Sequence, residues 1–274
     1  MKNKSSWFER VASSPYIVWS AIFIIAPLIF VAYFAFTDRN GDFTFENILS
    51  LSSYSETFVM SLGFSLIATT VCLIIGYPLA YCMSRTSERT RSILMVLLML
   101  PMWISLLIRT YSLMALLDNG GLVSTFLTNI GLPKLTFIGT DGAVILGMIY
   151  DFLPYMVLPI YTALVKIDRR YLEASADLGC NSLQTIFKVI LPLTTPGIVS
   201  GVTMVFVPSI STFYISQKLG GGSFDLLGDT IERQFQNQIT YNTGAAISLV
   251  MMILILISLA VMNKFSDNEE EIIV

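Results

Sequence analysis

Two ionisable residues stand inside otherwise apolar stretches and are the first candidates for chemistry. Asp151 is flanked by Tyr150, Phe152 and Tyr155, and Arg109 follows Leu-Ile in a second apolar stretch. A charged side chain costs about 3 kcal/mol at the centre of a bilayer, so such residues are functional candidates by default. A carboxylate attracts cations, and aromatic rings add cation–π contacts. We therefore expect Asp151, Tyr150 and Tyr155 to line a path for a cationic substrate.

The same two residues allow other interpretations. Asp151 and Arg109 are also suited to an ion pair between helices, and Asp151 could equally face a water-filled cavity. Arg109 would repel a cation in an open path. We expect it to have a structural role, or to face a partner near the outer end of its helix.

Composition excludes several classes of function. Of the 274 residues, 54% are hydrophobic and 13% are charged, against about 25% charged in soluble domains. The net charge of −3 gives no basic field for nucleic acid. Histidine is absent, and the three cysteines, Cys72, Cys82 and Cys180, are too widely spaced for a C-x-x-C pair. With no G-x-x-x-x-G-K-[ST] motif either, we predict no catalytic site, metal site or cofactor in this chain.

Residues 166–188 are too polar to cross a membrane and too regular to be a linker. Arg169, Glu173 and Asp177 recur at intervals of four and share one face of a predicted helix. The adjoining face carries small and apolar side chains: Tyr171, Ala174, Ser175 and Leu178. This amphipathic helix could lie on lipid headgroups or dock into a groove of another protein.

A turn and a second helix are predicted to follow. Gly179 stands where a helix ends in a left-handed residue, and Asn181 with Gln184 fits a capping box. The second helix then enters the membrane at Pro192.

Six stretches are apolar enough for spans of about 20 residues. They are Ile17–Phe36, Phe58–Met83, Ile93 to about Leu117, Ala143–Val165, about Val189 to Ile215, and Ala245–Met262. The alternate loops and termini that include residues 166–188 hold 11 of the Lys and Arg residues, and the opposite loops hold 4. The positive-inside rule places both termini and residues 166–188 in the cytoplasm. We predict an all-α polytopic membrane protein, with residues 1–274 forming a single transmembrane domain.

A family resemblance rests on the cytoplasmic segment. Glu173-Ala174-Ser175, three residues, Gly179, nine residues and Val189-Ile190-Leu191-Pro192 resemble the EAA signature of ABC importer permeases. The signature reads E-A-A, three residues, G, nine residues, I-x-L-P, so Ser175 and Val189 are its two departures here. The resemblance implies the six-helix type I permease fold. It also implies that the first helix couples to the ATPase through Glu173, Ala174, Ser175, Asp177 and Gly179.

Further similar stretches point to the polyamine (spermidine and putrescine) branch of that family. They are Ile75–Tyr81, Leu100–Trp103, Leu107–Tyr111, Leu153–Tyr161, and Phe213–Ser216 before Gly220–Gly222. The last of them adds Tyr214 to the predicted substrate pathway. The resemblance implies a second related permease subunit, an ATPase dimer that binds ATP and Mg, and an extracytoplasmic polyamine-binding protein. The location implied is the bacterial cytoplasmic membrane. An importer permease for another small solute, or a passive channel, is the alternative.

Overall fold

The architecture is helical throughout the part of the chain that the computed structural model describes, residues 7–131 and 136–270. The helices are α1 (Trp7–Ser20), α2 (Ala26–Ala35), α3 (Glu46–Leu49), α4 (Ser55–Arg85), α5 (Glu88–Trp103), α6 (Leu106–Leu117), α7 (Leu122–Asn129), α8 (Asp141–Val165), α9 (Arg169–Asp177), α10 (Ser182–Thr185), α11 (Leu191–Ser211), α12 (Tyr214–Leu219), α13 (Leu227–Gln236) and α14 (Tyr241–Glu270). A 3₁₀ turn at Ser50–Tyr54 joins α3 to α4. The all-α prediction is confirmed.

Among the described residues, five helical segments are long and apolar enough to cross a membrane. They are Ser14–Ala35, Glu46–Arg85, Asp141–Val165, Ser182–Ser211 and Tyr241–Met262. A sixth crossing arises if α5 and the helical segment Leu106–Asn129 count as one span, although they are bent by 96°. The count of six is confirmed in that form.

The third predicted span is therefore not one straight helix. Ile104 and Ser105 take extended backbone, with ψ of 137° at each residue. β-branched residues such as Ile104 adopt this conformation readily. The carbonyl of Ser105 then accepts from the Arg109 amide and starts α6 in a new direction.

The fifth span ends at Ser211, before the predicted limit at Ile215. Thr212 is extended, with ψ of 138°, and α12 begins as a separate helix at Tyr214. Apolar composition alone does not register this break, because Phe213 and Ile215 continue the apolar run beyond it. At the other end of the chain α14 passes Met262 and continues to Glu270.

In the described part of the chain, two π turns lie just before prolines near the start of a helix. Residues Ala21–Ile25 form one π turn and residues Ile186–Ile190 the other, and each is followed two residues later by a proline, Pro27 or Pro192. Proline has no amide to donate and its ring crowds the preceding turn. The wider π turn accommodates both effects without ending the helix.

The described residues fall into two compact units. One lies within residues 1–55 and 230–253, where Ala35, Ala245 and Ala246 are fully buried. The other lies within residues 56–229 and 254–274, and its core includes the fully buried Met148 and Met156. The prediction of a single domain over residues 1–274 stays a prediction.

Helices α8 and α11 make the most extensive packing in the second unit. A Cβ atom built on Gly197 would lie 2.6 Å from the Ala163 Cβ, and one on Gly201 would lie 2.9 Å from the Met156 backbone oxygen. Only glycine allows the two backbones to approach this closely, as in other membrane helix pairs. This pair positions both candidate sites described below.

Candidate functional sites

Helix α9 has defined caps at both ends. The Asp168 side chain accepts from the Arg170 amide and caps the first turn. At the other end Gly179 has a φ of +78°, its amide donates to Ala176, and the Cys180 amide donates to Ser175. These two bonds are the Schellman pattern, which needs a left-handed residue at Gly179. The predicted helix end is confirmed.

The second helix of the segment starts at the predicted capping box. The Asn181 side chain accepts from the Gln184 amide at 2.8 Å, and the Gln184 side chain accepts from the Asn181 amide at 2.9 Å. The chain then runs as one 30-residue helical stretch, Ser182–Ser211, into the fifth span. The segment is thus fixed directly to a membrane helix.

The predicted coupling residues divide into exposed and buried positions. Glu173, Ala174, Asp177 and Gly179 are exposed. Ser175 is only 4% exposed, and its hydroxyl lies 3.1 Å from the Thr185 hydroxyl and donates to the Leu172 carbonyl. Ser175 therefore holds α9 against α10 instead of facing outward. The coupling role of all five residues stays a prediction.

A groove of about 630 Å³ lies beside α9. Its wall carries both signs of charge: Arg85, Glu88, Arg91, Arg169 and Glu173. Glu88 and Arg91 already pair within α5 at 3.8 Å. The groove is bordered by the ends of α4 and α8 and by α9, so Glu173 lies beside the ends of two membrane helices.

The segment also exposes large apolar side chains. Leu178 is 84% exposed, and Tyr171, Leu183 and Phe187 are each more than half exposed. Exposed apolar groups next to charged ones are typical of a surface that a partner protein covers. An amphipathic helix laid on lipid would also expose such groups, so both interpretations of the sequence stay open on this observation.

The two intramembrane charges pair with each other. The Arg109 Nη1 lies 3.0 Å from the Asp151 Oδ1, and it also donates to the Asp151 backbone oxygen at 3.2 Å. Thr110 donates to the other carboxylate oxygen at 3.5 Å. Arg109 is 6% and Asp151 1% exposed, so the interhelical pair is the arrangement found.

This pair is incompletely hydrogen-bonded. Among the described residues, no acceptor meets the Arg109 Nε, and Oδ1 of Asp151 accepts no well-aligned hydrogen bond. Buried ion pairs whose atoms are incompletely hydrogen-bonded contribute little net stability, because the cost of desolvation offsets the attraction between the charges.

The structure does not bring the four predicted pathway residues together. Asp151 is sealed against Arg109, whereas Tyr150 on the same helix is 43% exposed. Tyr155 lines a separate cavity of about 690 Å³ that also contains Met102 and Lys166. Tyr214 lies on α12, at the contact of that helix with α6. Their role in substrate passage stays a prediction.

Tyr214 belongs to an aromatic cluster that the sequence did not reveal. Its ring meets that of Tyr111 at a centroid distance of 5.9 Å and an angle of 81°. The Lys218 Nζ lies 5.4 Å from the Tyr111 centroid and 5.7 Å from that of Tyr214. The four-residue spacing of Tyr214 and Lys218 was a visible signal, but the approach of Tyr111 depends on how α6 packs against α12.

Glycine at position 147 lets α12 reach this place. A Cβ atom on Gly147 would lie 2.4 Å from the Leu219 Cδ1 and 2.8 Å from the Ile215 Cγ2. Gly147 is one helical turn from Asp151. The aromatic cluster lies on α6 and α12 and the buried ion pair on α6 and α8, and these three helices are in mutual contact.

Comparison with known proteins gives a match to one family model and relatives that are similar over most of their length. The family model described as "Binding-protein-dependent transport system inner membrane component" matches residues 73–268. The spermidine/putrescine transport system permease protein PotB of Haemophilus influenzae is 35% identical, with 99% of this chain and 100% of the relative covered. PotB of Escherichia coli K12 is 36% identical, with 86% and 89% covered.

The fold is also similar to that of solved transporters. A chain of a bacterial ABC transporter that imports the acidic polysaccharide alginate superposes with a TM-score of 0.77, with 96% of both chains covered. The sequences are 20% identical, so this likeness concerns the fold alone.

Proposed function

The chain belongs to the family of binding-protein-dependent transport system inner membrane components, and from that membership we propose that it is the membrane-spanning permease subunit of an ATP-driven importer for polyamines. One observation supports the cargo: the identity of 35–36% to PotB proteins over nearly the whole chain. The related alginate transporter shows that the fold serves other solutes, so the cargo rests on the sequence relatives.

In this proposal the ATP is bound and hydrolysed elsewhere. An ATPase dimer binds ATP and Mg, a second related permease completes the pathway, and an extracytoplasmic binding protein delivers the polyamine. The segment 166–188 faces the cytoplasm with both termini, as the distribution of Lys and Arg indicates. ATP binding and hydrolysis drive the change between inward-facing and outward-facing states, which requires each ligand to prefer one state.

The proposed docking helix is α9. Its exposed face presents Glu173 and Asp177, and Ala174 between them leaves room for close approach of a partner. Ser175 and Gly179 position this face, through the Thr185 contact and the left-handed turn. The exposed Leu178 and Phe187 are available to pack against the same partner.

Transport is tested with vesicles that contain this chain and the products of its operon neighbours. We expect ATP-dependent uptake of labelled spermidine and putrescine in the presence of the binding protein. A stable complex that hydrolyses ATP but takes up neither polyamine would contradict the cargo. Uptake that continues without ATP would indicate a passive channel.

Coupling is tested by reversing the charge at Glu173. We expect Glu173→Lys to leave the amount of protein in the membrane unchanged and to abolish ATP-dependent uptake, because a cation replaces the carboxylate on the docking face. Glu88→Lys is the matched control: Glu88 lines the same groove and its side chain is 93% exposed, but it lies outside segment 166–188. Normal uptake by Glu173→Lys, or equal loss in both variants, would contradict the coupling role.

A further inference from the structure

The cluster of Tyr111, Tyr214 and Lys218 holds an ammonium group between two aromatic rings. The rings meet edge to face, and the Lys218 Nζ lies within 6 Å of both centroids, which is the range of a cation–π contact. Two aromatic rings that converge on one cation form an aromatic cage, the arrangement by which proteins recognise quaternary ammonium ligands such as choline, and here the cage holds a primary ammonium.

The group now in the cage has the chemistry of the proposed cargo. A lysine side chain is a primary ammonium on four methylene carbons, and putrescine is the same four-carbon chain with an ammonium at each end. A cage that accepts the end of Lys218 therefore accepts the end of a polyamine. The charge, the chain width and the hydrogen-bonding capacity are the same.

The cage is accessible. Tyr111 is 51% exposed, and Tyr214 and Lys218 are half-buried. The nearby Arg109 does not add an open positive charge, because it pairs with Asp151 at 3.0 Å. A free ammonium can thus reach the rings if the Lys218 side chain moves out.

From these observations we propose that Tyr111 and Tyr214 form a binding site for a primary ammonium of the cargo, and that Lys218 is a tethered competitor that fills this site when no cargo is present. The inference rests on the proposed polyamine cargo and deepens it. When cargo binds, its ammonium replaces that of Lys218 between the rings. A neutral solute that displaced Lys218 would lose this cation–π contact without replacing it. Lys218 thereby selects against uncharged ligands.

Direct binding to the permease complex separates this site from the binding protein. Labelled spermidine is equilibrated with the purified complex of both permeases and the ATPase, without the binding protein. We expect K218M to bind spermidine about fivefold more tightly than the unaltered chain. A partly exposed cation–π contact favours the cage filled by Lys218 over the empty cage by about this factor. Removing Lys218 should therefore raise the apparent affinity for spermidine by about the same factor. A misfolded variant would lose binding and cannot imitate this gain.

Two further variants distinguish the cage from charge repulsion. K218R keeps a cation that stacks on tyrosine, so its affinity for spermidine should stay near that of the unaltered chain. K218M combined with Y214L removes one ring, and we expect the gain of K218M to disappear in this double variant. A gain that survives Y214L would overturn the cage and leave simple repulsion by Lys218.

Uptake by the same preparations separates this inference from the proposed function. If the unaltered complex imports spermidine with ATP but K218M binds it no more tightly, the cage is overturned and the polyamine cargo stands. If the unaltered complex imports no polyamine, the cargo and the cage fail together.

Discussion

Replacing Asp151 or Arg109 singly should destabilise the protein far more than replacing both. At 3.0 Å and an effective dielectric constant of about 20, the attraction between the two charges is about 5.5 kcal/mol. Burial of each ion costs several kcal/mol, so the intact pair roughly balances its own desolvation. Asp151→Leu leaves the guanidinium buried and unpaired, and we expect a loss of about 3–5 kcal/mol in the free energy of unfolding.

The double variant Asp151→Leu with Arg109→Met is the matched control. It removes both charges and fills the space with apolar side chains of similar size, so its stability should lie within about 1 kcal/mol of the unaltered chain. Arg109→Met alone should cost less than Asp151→Leu, because a stranded carboxyl can take up a proton whereas a guanidinium cannot lose one. The free energy of unfolding of the unaltered chain, the two single variants and the double variant is measured in mixed micelles with an increasing fraction of denaturing detergent.

Two results would refute this reasoning. Asp151→Leu could prove as stable as the unaltered chain, or the effects of the single changes could add in the double variant. Uptake by a stable double variant then decides between the two interpretations of Asp151. Normal uptake indicates a purely structural pair, and lost uptake indicates that the carboxylate takes part in substrate passage.

Two other predictions concern packing and pH. Gly147→Ala should lower stability by about 1–3 kcal/mol in thermal unfolding, since the new methyl group overlaps the fully buried Leu219; an unchanged midpoint would contradict the close approach. In the loop after α2, backbone hydrogen bonds from Asp42 and Asn40 lower the pKa of Asp38 from its ordinary value of 3.8. The carboxylate therefore stabilises the loop above about pH 4, and this contribution is lost as the pH falls through the lowered pKa. In hydrogen exchange, the amides of residues 36–44 should be better protected in the unaltered chain than in Asp38→Asn at neutral pH, and this difference in protection should shrink in acid. A difference that does not change with pH would contradict a role of the Asp38 carboxylate.

The features that the sequence predicted correctly depend mostly on residues close to one another along the chain. The left-handed Gly179 and the Asn181–Gln184 capping box depend on residues within a few positions of each other, and both were found where predicted. The apolar stretches likewise predicted the membrane helices, because their length is set by bilayer thickness. The interhelical pair of Asp151 and Arg109 was one of the stated alternatives.

Features that depend on tertiary packing were not predictable. Ser175 looked like part of an outward face, but its contact with Thr185 depends on how α9 folds back on α10. The break at Thr212 lies inside an apolar run that hydropathy reads as continuous. The meeting of Tyr111 and Tyr214 joins residues about a hundred positions apart, which no local pattern encodes.

The continuous helical stretch Ser182–Ser211 links the capping box to the far end of the fifth span. At 1.5 Å per residue its 30 residues extend about 45 Å, so a tilt of about 5° at the capping box displaces the far end by about 4 Å. That end adjoins Thr212 and α12, whose Tyr214 and Lys218 form the aromatic cage. A rotation of this size at the capping box would therefore shift the residues next to the cage by about the size of an ammonium group.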